Sequence, residues 1–409
     1  MENTKICVIG GGPAGMMAAG TALKYGADVT IFEHMPFLGK KLGITGKGRC
    51  NVTNACTTQE FLENVTKNPR FLYSALSAFD TYDAMAFFEE LGVELKVERG
   101  NRVFPVSEKA RDIVDAMRRY CKGAAIVNKK VGSLEVLDDG KFTINKDEEF
   151  VFDSVILATG GKSYPLTGSD GSGYKLASQL GHTVTKLIPS LIPFNSPSHL
   201  CKDMQGLSLK NVEITVVDQN DTVLYRDFGE MMFTHFGVTG PVILSASAHV
   251  RDRKISELSL CIDLKPALDE KTLDARVISD LQQNNNRDFV NSLGALLPTK
   301  LINPFIEYVG IDPRKKVNAI TKEERGRICT ALKCFKIPLS SYRPIDEAIV
   351  TSGGIDIKEI NPKTLESKLI PHLYFAGEVI DIDAYTGGFN LQIAYSTGYL
   401  AGKSAAENL

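Results

Sequence analysis

Three glycines and one acid near the N-terminus have the types and spacing to hold a dinucleotide. Gly10, Gly12 and Gly15 follow a G-x-G-x-x-G spacing directly after the apolar run 5–9, with Pro13 and Ala14 between the last two. A small-residue, helix-forming stretch comes next, then a second apolar run, 29–32, that ends on Glu33. Gly10 permits the tight strand-to-helix turn, Gly12 lets a pyrophosphate approach the backbone, and Gly15 lets the helix pack closely on a sheet. The helix N-terminus offers unpaired N–H groups and a positive dipole end to the phosphates. Glu33 is placed to accept hydrogen bonds from ribose hydroxyls, which favours FAD or NAD over NADP. The motif alone leaves FAD and NAD both open.

Further along, residues 36–54 carry four glycines and four cations, Lys40, Lys41, Lys47 and Arg49, with no acid between Glu33 and Glu60. Such a loop suits an anionic cofactor, with N–H groups and cations turned to phosphate or flavin. A mobile solvated loop would usually also carry Ser, Asp or Glu. The buried-strand pattern 155–157 runs into Ala158-Thr159-Gly160, as expected of a parallel strand ending beneath a ligand. Residues 167–173 are glycine-rich but follow no apolar strand. They read as a flexible connection or a site, not as a second nucleotide fingerprint.

A chain of 409 residues predicts two or three domains. Its 43% hydrophobic and 23% charged residues are those of an ordinary globular protein, and a net charge of −2 argues against coating DNA or an anionic membrane by bulk attraction. The first strand begins within five residues, so no signal peptide is expected, and no apolar run is long enough to span a bilayer. The eight cysteines show no C-x-x-C and no metal-ligand spacing, so no metal site and no disulfide scaffold are expected, and the expected location is the cytoplasm.

The elements that must position these residues follow from periodicity. Residues 58–91 read as helical, 94–98 and 102–104 as a hairpin turned at Gly100-Asn101, and 110–121 as a helix. Strands are expected in 126–137, 142–144 and 150–152. Residues 207–264 read as strand-rich, with strands at 212–217, 223–227, 231–234, 242–244 and 258–264. Residues 269–335 read as helical and polar, so the middle of the chain looks like an insertion with a β part and a helical part. From Ile345 glycine-punctuated strands return, with Gly377-Glu378, Asp381 and then Gly388-Phe389-Asn390 at the head of an apolar helix.

These separated pieces, in this order, resemble the FAD-containing two-domain oxidoreductases. More specifically, the segments 39–41 and 48–54, Asn101 to Pro105, Phe233 to Pro241 and Gly377 to Gln392 resemble the BaiN/YhiN-type (aminoacetone-oxidase-like) FAD-dependent oxidoreductases across essentially the whole chain. The resemblance implies an α/β fold: a two-segment Rossmann-like FAD-binding domain with an inserted β-barrel-like subdomain and a small helical subdomain. The expected boundaries are 1–190 and 346–409 for the FAD domain, 191–264 with 336–345 for the β-rich insert, and 265–335 for the helical insert. It further implies that Gly10, Gly12, Pro13, Ala14 and Gly15 hold the pyrophosphate, Glu33 the ribose, and that Val131 lies against adenine. Lys40, Lys41, Gly48, Arg49, Cys50 and Asn51 would line the flavin side, together with the turn Ala158, Thr159 and Gly160. Gly377, Glu378 and Asp381 would lie near the ribityl chain. Gly388, Phe389 and Asn390 would offer donors to the isoalloxazine.

Because a flavin carries out hydride chemistry itself, the chain must add a proton donor or acceptor and a substrate pocket. His235 has the pKa range for proton transfer, though it could equally fix the insert by hydrogen bonding. Cys50 could protonate substrate or be a small packing residue. Tyr385 and Tyr164 could donate a proton or stack on a planar substrate, and Arg102 could bind an anionic one. The expected activity is reduction of an activated C=C bond in a small molecule, with NAD(P)H docking transiently. The alternatives are oxidation of a small amine by O₂, reduction of a uridine in rRNA, and a non-catalytic flavin sensor. An rRNA partner needs a basic groove. Outside the 40–49 loop the basic cluster lies at 314–336, where Glu323 and Glu324 interrupt it, as on a solvated face.

Overall fold

The structure, a computed structural model, describes residues 3–407. The chain divides into two compact units, Met1–Ser190 with Ile345–Leu409, and Leu191–Pro344.

The first unit is built on a five-stranded sheet in the order Leu373–Phe375, Ser154–Leu157, Lys5–Ile9, Asp28–Phe32, Ala125–Val127. All four pairings are parallel, and in register Ile9 lies between Leu157 and Phe32. Ser154–Leu157 is buried throughout, as a central parallel strand covered on both faces must be. Helix Pro13–Lys24 starts with proline in its first turn, where the missing N–H costs nothing and φ is already helical. Against it lies the closing helix Phe389–Glu407. A Cβ on Gly398 would fall 2.4 Å from the Ala14 carbonyl oxygen, and one on Gly402 would fall 2.3 Å from that of Ala18. Glycine at these two positions therefore sets how closely the helices approach.

The second unit carries a seven-stranded antiparallel sheet, ordered Phe335–Pro338, Ser259–Asp263, Ser208–Val217, Val223–Thr234, Gly237–Thr239, Phe194–Asn195, Ser341–Tyr342. Its two outermost strands are neighbours in sequence. Three residue steps from Pro338 to Ser341 reach at most roughly 11 Å, whereas the edges of a flat sheet of this width would stand roughly 29 Å apart. The sheet therefore curls on itself, which gives the barrel-like form. Helices Glu270–Gln283, Thr299–Val309 and Lys322–Lys333 pack with it around a separate core that includes the fully buried Phe233, Phe289, Phe305 and Phe335.

Several local expectations are corrected. Residues 242–244, read as a strand, lie within helix Pro241–His249, where a first-turn proline and the small residues Ala246, Ser247 and Ala248 outweigh the β-branched pair. Strands expected at 223–227 and 231–234 are one continuous strand through Gly229. The helical reading of 58–91 is interrupted by strand Val65–Lys67, which pairs with Asp383–Ala384, and by Asn68, whose φ of 56° precedes Pro69. The residue before a proline is biased out of the helix. Cys261 and Cys334 form a disulfide across 73 residues of sequence, a pairing that no spacing rule picks out. Among the described residues, no helix is long and apolar enough to cross a membrane.

Candidate cofactor site

A cavity of about 610 Å³ opens in the first unit at the C-terminal ends of strands Lys5–Ile9, Asp28–Phe32 and Ser154–Leu157. It is of the size of pockets that bury small ligands, ~300–1,000 Å³. The three fingerprint glycines have different reasons to be glycine. At Gly10, φ is +106° and an added Cβ would meet the Ala158 carbonyl oxygen at 2.5 Å, while at Gly15 it would meet the Gly10 carbonyl oxygen at 1.8 Å. Gly12 has no such protein neighbour, since a Cβ there would find nothing within 4 Å. Gly12 borders the cavity and caps helix Pro13–Lys24 without any side-chain hydrogen bond. Its bare backbone leaves the first-turn N–H groups open to a phosphate, as FAD requires.

Glu33 borders the same cavity and is nearly buried. Its Oε2 accepts the Gly11 N–H at 2.8 Å and its Oε1 the Met35 N–H at 2.7 Å. These bonds fix the carboxylate while leaving lone pairs for a ribose. Three further polar atoms in residues bordering the cavity, Asn51 Oδ1, Thr159 Oγ1 and Ser169 Oγ, are buried with no hydrogen-bond partner in the protein. Buried polar atoms are costly unless bonded, so these positions fit a ligand that brings hydroxyl and ring N–H donors together with phosphate acceptors. Lys130 pairs with Asp170 at 2.5 Å beside them. Burial opposes ionisation of Asp170, but Lys130 and Ser172 hold its carboxyl down to about 2.

The cationic loop is tied to the C-terminal segment. Lys41 Nζ donates to Ser163 Oγ at 2.8 Å and to Glu378 Oε2 at 2.9 Å. Glu378 Oε1 accepts from Thr351 N–H at 2.8 Å and from Ser163 Oγ at 3.2 Å. Lys40 Nζ donates to the Leu166 carbonyl at 2.7 Å. Asn54 Nδ2 reaches the Gly387 carbonyl at 3.1 Å, and a Cβ on Gly388 would meet the Thr53 carbonyl oxygen at 2.3 Å. The Asn390 side chain accepts from Ala384 N–H at 3.0 Å and donates back to its carbonyl at 2.7 Å, folding the loop before the closing helix. Burial, together with the Glu378 and Asp381 carboxylates, pushes the Tyr174 hydroxyl well above its usual range.

The cavity wall thus brings together Gly10, Gly12, Pro13, Ala14, Glu33, Lys40, Lys41, Asn51 and Val131 from the N-terminal segment. It adds Ala158, Thr159, Gly160 and Tyr164 from the middle, and Gly377, Glu378, Tyr385, Gly388 and Asn390 from the C-terminal segment. Gly15, Gly48, Arg49, Cys50, Arg102, Asp381 and Phe389 lie off the wall. The Arg49 guanidinium is held by Glu98 at 2.5 Å and Glu108 at 3.1 Å and stacks over Phe104. Cys50 is fully buried at φ 59°, and burial pushes its thiol up to about 12. Asp381 pairs with Lys67 at 2.6 Å. Arg102 Nε donates to the Arg99 carbonyl. His235 belongs to the second unit, exposed at the turn between Val223–Thr234 and Gly237–Thr239, with its ring edge-on to Phe236. Sequence reasoning missed Ser163 and Thr351, isolated hydroxyl residues whose partners are remote in the chain, and Ser169, whose buried hydroxyl has no protein partner.

In the second unit, most cations of the 314–336 cluster have acidic partners. Lys315 pairs with Glu324 at 2.7 Å, Lys316 with Asp288 at 2.8 Å and Arg325 with Asp274 at 2.7 Å. Lys333 pairs with Asp263 at 2.5 Å and Lys336 with Asp221 at 2.6 Å.

The family described as "HI0933-like protein Rossmann domain" matches residues 4–404. The chain is 30% identical to the 3-dehydro-bile acid delta(4,6)-reductase of Clostridium scindens, over 98% of this chain and 99% of that protein. It is 28% identical to the ribosomal RNA dihydrouridine synthase of Escherichia coli (strain K12), over 98% and 97% of the two chains. In structure it is similar to the 3-ketosteroid-delta4-(5alpha)-dehydrogenase of Rhodococcus jostii RHA1, with a TM-score of 0.52 over 100% of this chain and 98% of that one, at 14% identity, a likeness of fold. With a parallel Rossmann-like sheet, a cavity wall suited to a dinucleotide and a family match along nearly all its length, the chain belongs to the HI0933-like family and is an FAD-dependent oxidoreductase.

Proposed function

We propose that this protein reduces an activated carbon–carbon double bond in a small, largely apolar molecule, with NADH or NADPH as electron donor. The observation that carries this reading is the full-length similarity to a protein named as a delta(4,6)-reductase. FAD, when bound, supplies the hydride chemistry. The chain's own residues then have three tasks. Gly12 and the helix it caps hold the diphosphate, and Glu33 holds the ribose. The N-terminus of helix Phe389–Glu407, led by Gly387 and Gly388, favours negative charge beside it. Tyr385, on the cavity wall, is the hydroxyl we assign to proton delivery. The deep burial of Cys50 and its raised pKa favour a packing role for that thiol.

A second reading, reduction of a uridine in rRNA, is favoured by the similarity to the dihydrouridine synthase. It is the same class of reaction, since dihydrouridine is uridine with hydrogen added across a C=C bond. The ion pairs of the 314–336 cluster weigh against it, because a phosphate backbone is drawn to cations without acidic partners. Incubating holoenzyme and NAD(P)H with a conjugated steroid enone, and separately with unmodified rRNA, separates the two. We expect the enone to gain two hydrogens, one from solvent, and the rRNA to be unchanged. Dihydrouridine formed in the rRNA with the enone untouched would reverse the assignment. Peroxide formed from an amine would replace both with an oxidase.

A further inference from the structure

We propose that Lys41 and Glu378 form a compensating charge pair whose balance sets how readily the bound flavin is reduced. The proposal rests on the FAD reading of this cavity and adds a role for two of its wall residues toward each other. The Nζ and Oε2 atoms are 2.9 Å apart, and both side chains are mostly shielded, at 23% and 19% exposure. Each residue borders the cavity. The pair joins positions 337 residues apart in sequence, so its formation depends on the fold and not on chain proximity. Ser163 is fully buried and bonded to both partners, while Thr351 N–H holds the second carboxylate oxygen. Glu378 is thereby held in place even without its cation, and the same Ser163 hydroxyl keeps a partner for Lys41 if the acid is neutralised.

Charges in a shielded wall act on a neighbouring redox group more strongly than charges in water. Reduced flavin carries more negative charge than oxidised flavin, so a bare ammonium favours reduction and a bare carboxylate opposes it. Intact, the pair is nearly neutral toward the flavin. Breaking it from either side must therefore move the potential in opposite directions. A clamp that served only to hold the loop in place would instead loosen FAD in both variants and would give no such opposition.

The test is the reduction potential of purified holoenzyme, measured by dye equilibration with FAD in excess, for wild type, Lys41→Met, Glu378→Gln and the double variant. We expect Glu378→Gln to raise the potential and Lys41→Met to lower it. Each shift should be about tenfold in the reduced-to-oxidised ratio, which is about 30 mV for a two-electron couple. The double variant should return to within about twofold of wild type. Lys41→Gln serves if Lys41→Met fails to fold, and Lys41→Arg, which keeps the charge, should keep the potential. Shifts of the same sign in both single variants, or none in either, would overturn the proposal while leaving the FAD assignment intact. A wild-type protein that takes up no FAD would instead overturn the reading on which it rests.

Discussion

Two stretches of this chain concentrate positive charge, and the structure uses them in different ways. In the loop at 40–49, Lys40 and Lys41 reach segments more than 100 residues away and border the cavity. In the helical stretch at 314–336, Lys315, Lys316, Arg325, Lys333 and Lys336 each lie against an acid of the same unit. The first set joins distant segments around a site. The second neutralises a surface. What separates them is where the partners lie, and a count of cations does not carry that information.

The largest effect expected from this contrast lies at Gly12, which stands beside the first stretch in the cavity wall. Gly12→Val would put a side chain where a Cβ meets no protein atom, so the fold should hold while the phosphate position is filled. FAD affinity should fall on the order of a hundredfold, the scale of ~3 kcal/mol, with apo-protein melting nearly unchanged; equilibrium dialysis and calorimetry check both. A variant that keeps its FAD would break the assignment of this cavity. Glu33→Ala should weaken FAD binding by roughly tenfold to a hundredfold, because the ribose hydroxyls lose a charged acceptor worth ~1.5–3 kcal/mol, while the orphaned Gly11 and Met35 donors should lower the stability of the apo-protein as well.

Replacing Lys315, Lys316 and Arg325 together with Gln sharpens the comparison from the other side. Turnover of a small enone should stay within about twofold, because none of these three cations borders the cavity. A large loss confined to an RNA substrate would make the second stretch functional after all.

The smallest effect is one of pH. His182 is buried against Phe375, bonded to Glu359 at 3.1 Å and to Ser367 at 2.9 Å. Burial lowers its pKa and outweighs the Glu359 carboxylate. The unfolded chain therefore binds the proton more readily. Stability from this group is complete above about pH 6.5, the unfolded value, and is lost as pH falls through the folded one. Urea melts of wild type and His182→Gln between neutral and mildly acidic pH should converge on the acid side. Parallel curves would remove His182 as the cause.

How much of this was legible in sequence depended on how local the physics is. The turn at Gly10–Gly15, the acid at Glu33 and the hairpin Leu95–Glu98 with Arg102–Pro105 are set by neighbours along the chain, and periodicity with turn chemistry reveals them. Helix Pro241–His249 was misread because three apolar residues in a row fit either a buried strand or a buried helix. The Lys41–Ser163–Glu378 cluster and the Cys261–Cys334 bond were invisible, since their members meet only after remote segments have folded together. Arg49 shows the converse limit. Its place in a cationic loop suggested a ligand contact, and its pairing with Glu98 and Glu108 could not be read from that loop.

The central claim is that FAD in this cavity passes electrons from a nicotinamide to an activated double bond. Its most direct test is an anaerobic stopped-flow experiment on the holoenzyme, following the visible flavin bands through NADH or NADPH addition and then enone addition. The account predicts bleaching by one of the two nicotinamides and recovery of the oxidised spectrum on mixing with the enone. A flavin that neither nicotinamide bleaches, or that once reduced is reoxidised by O₂ and not by the enone, would contradict it.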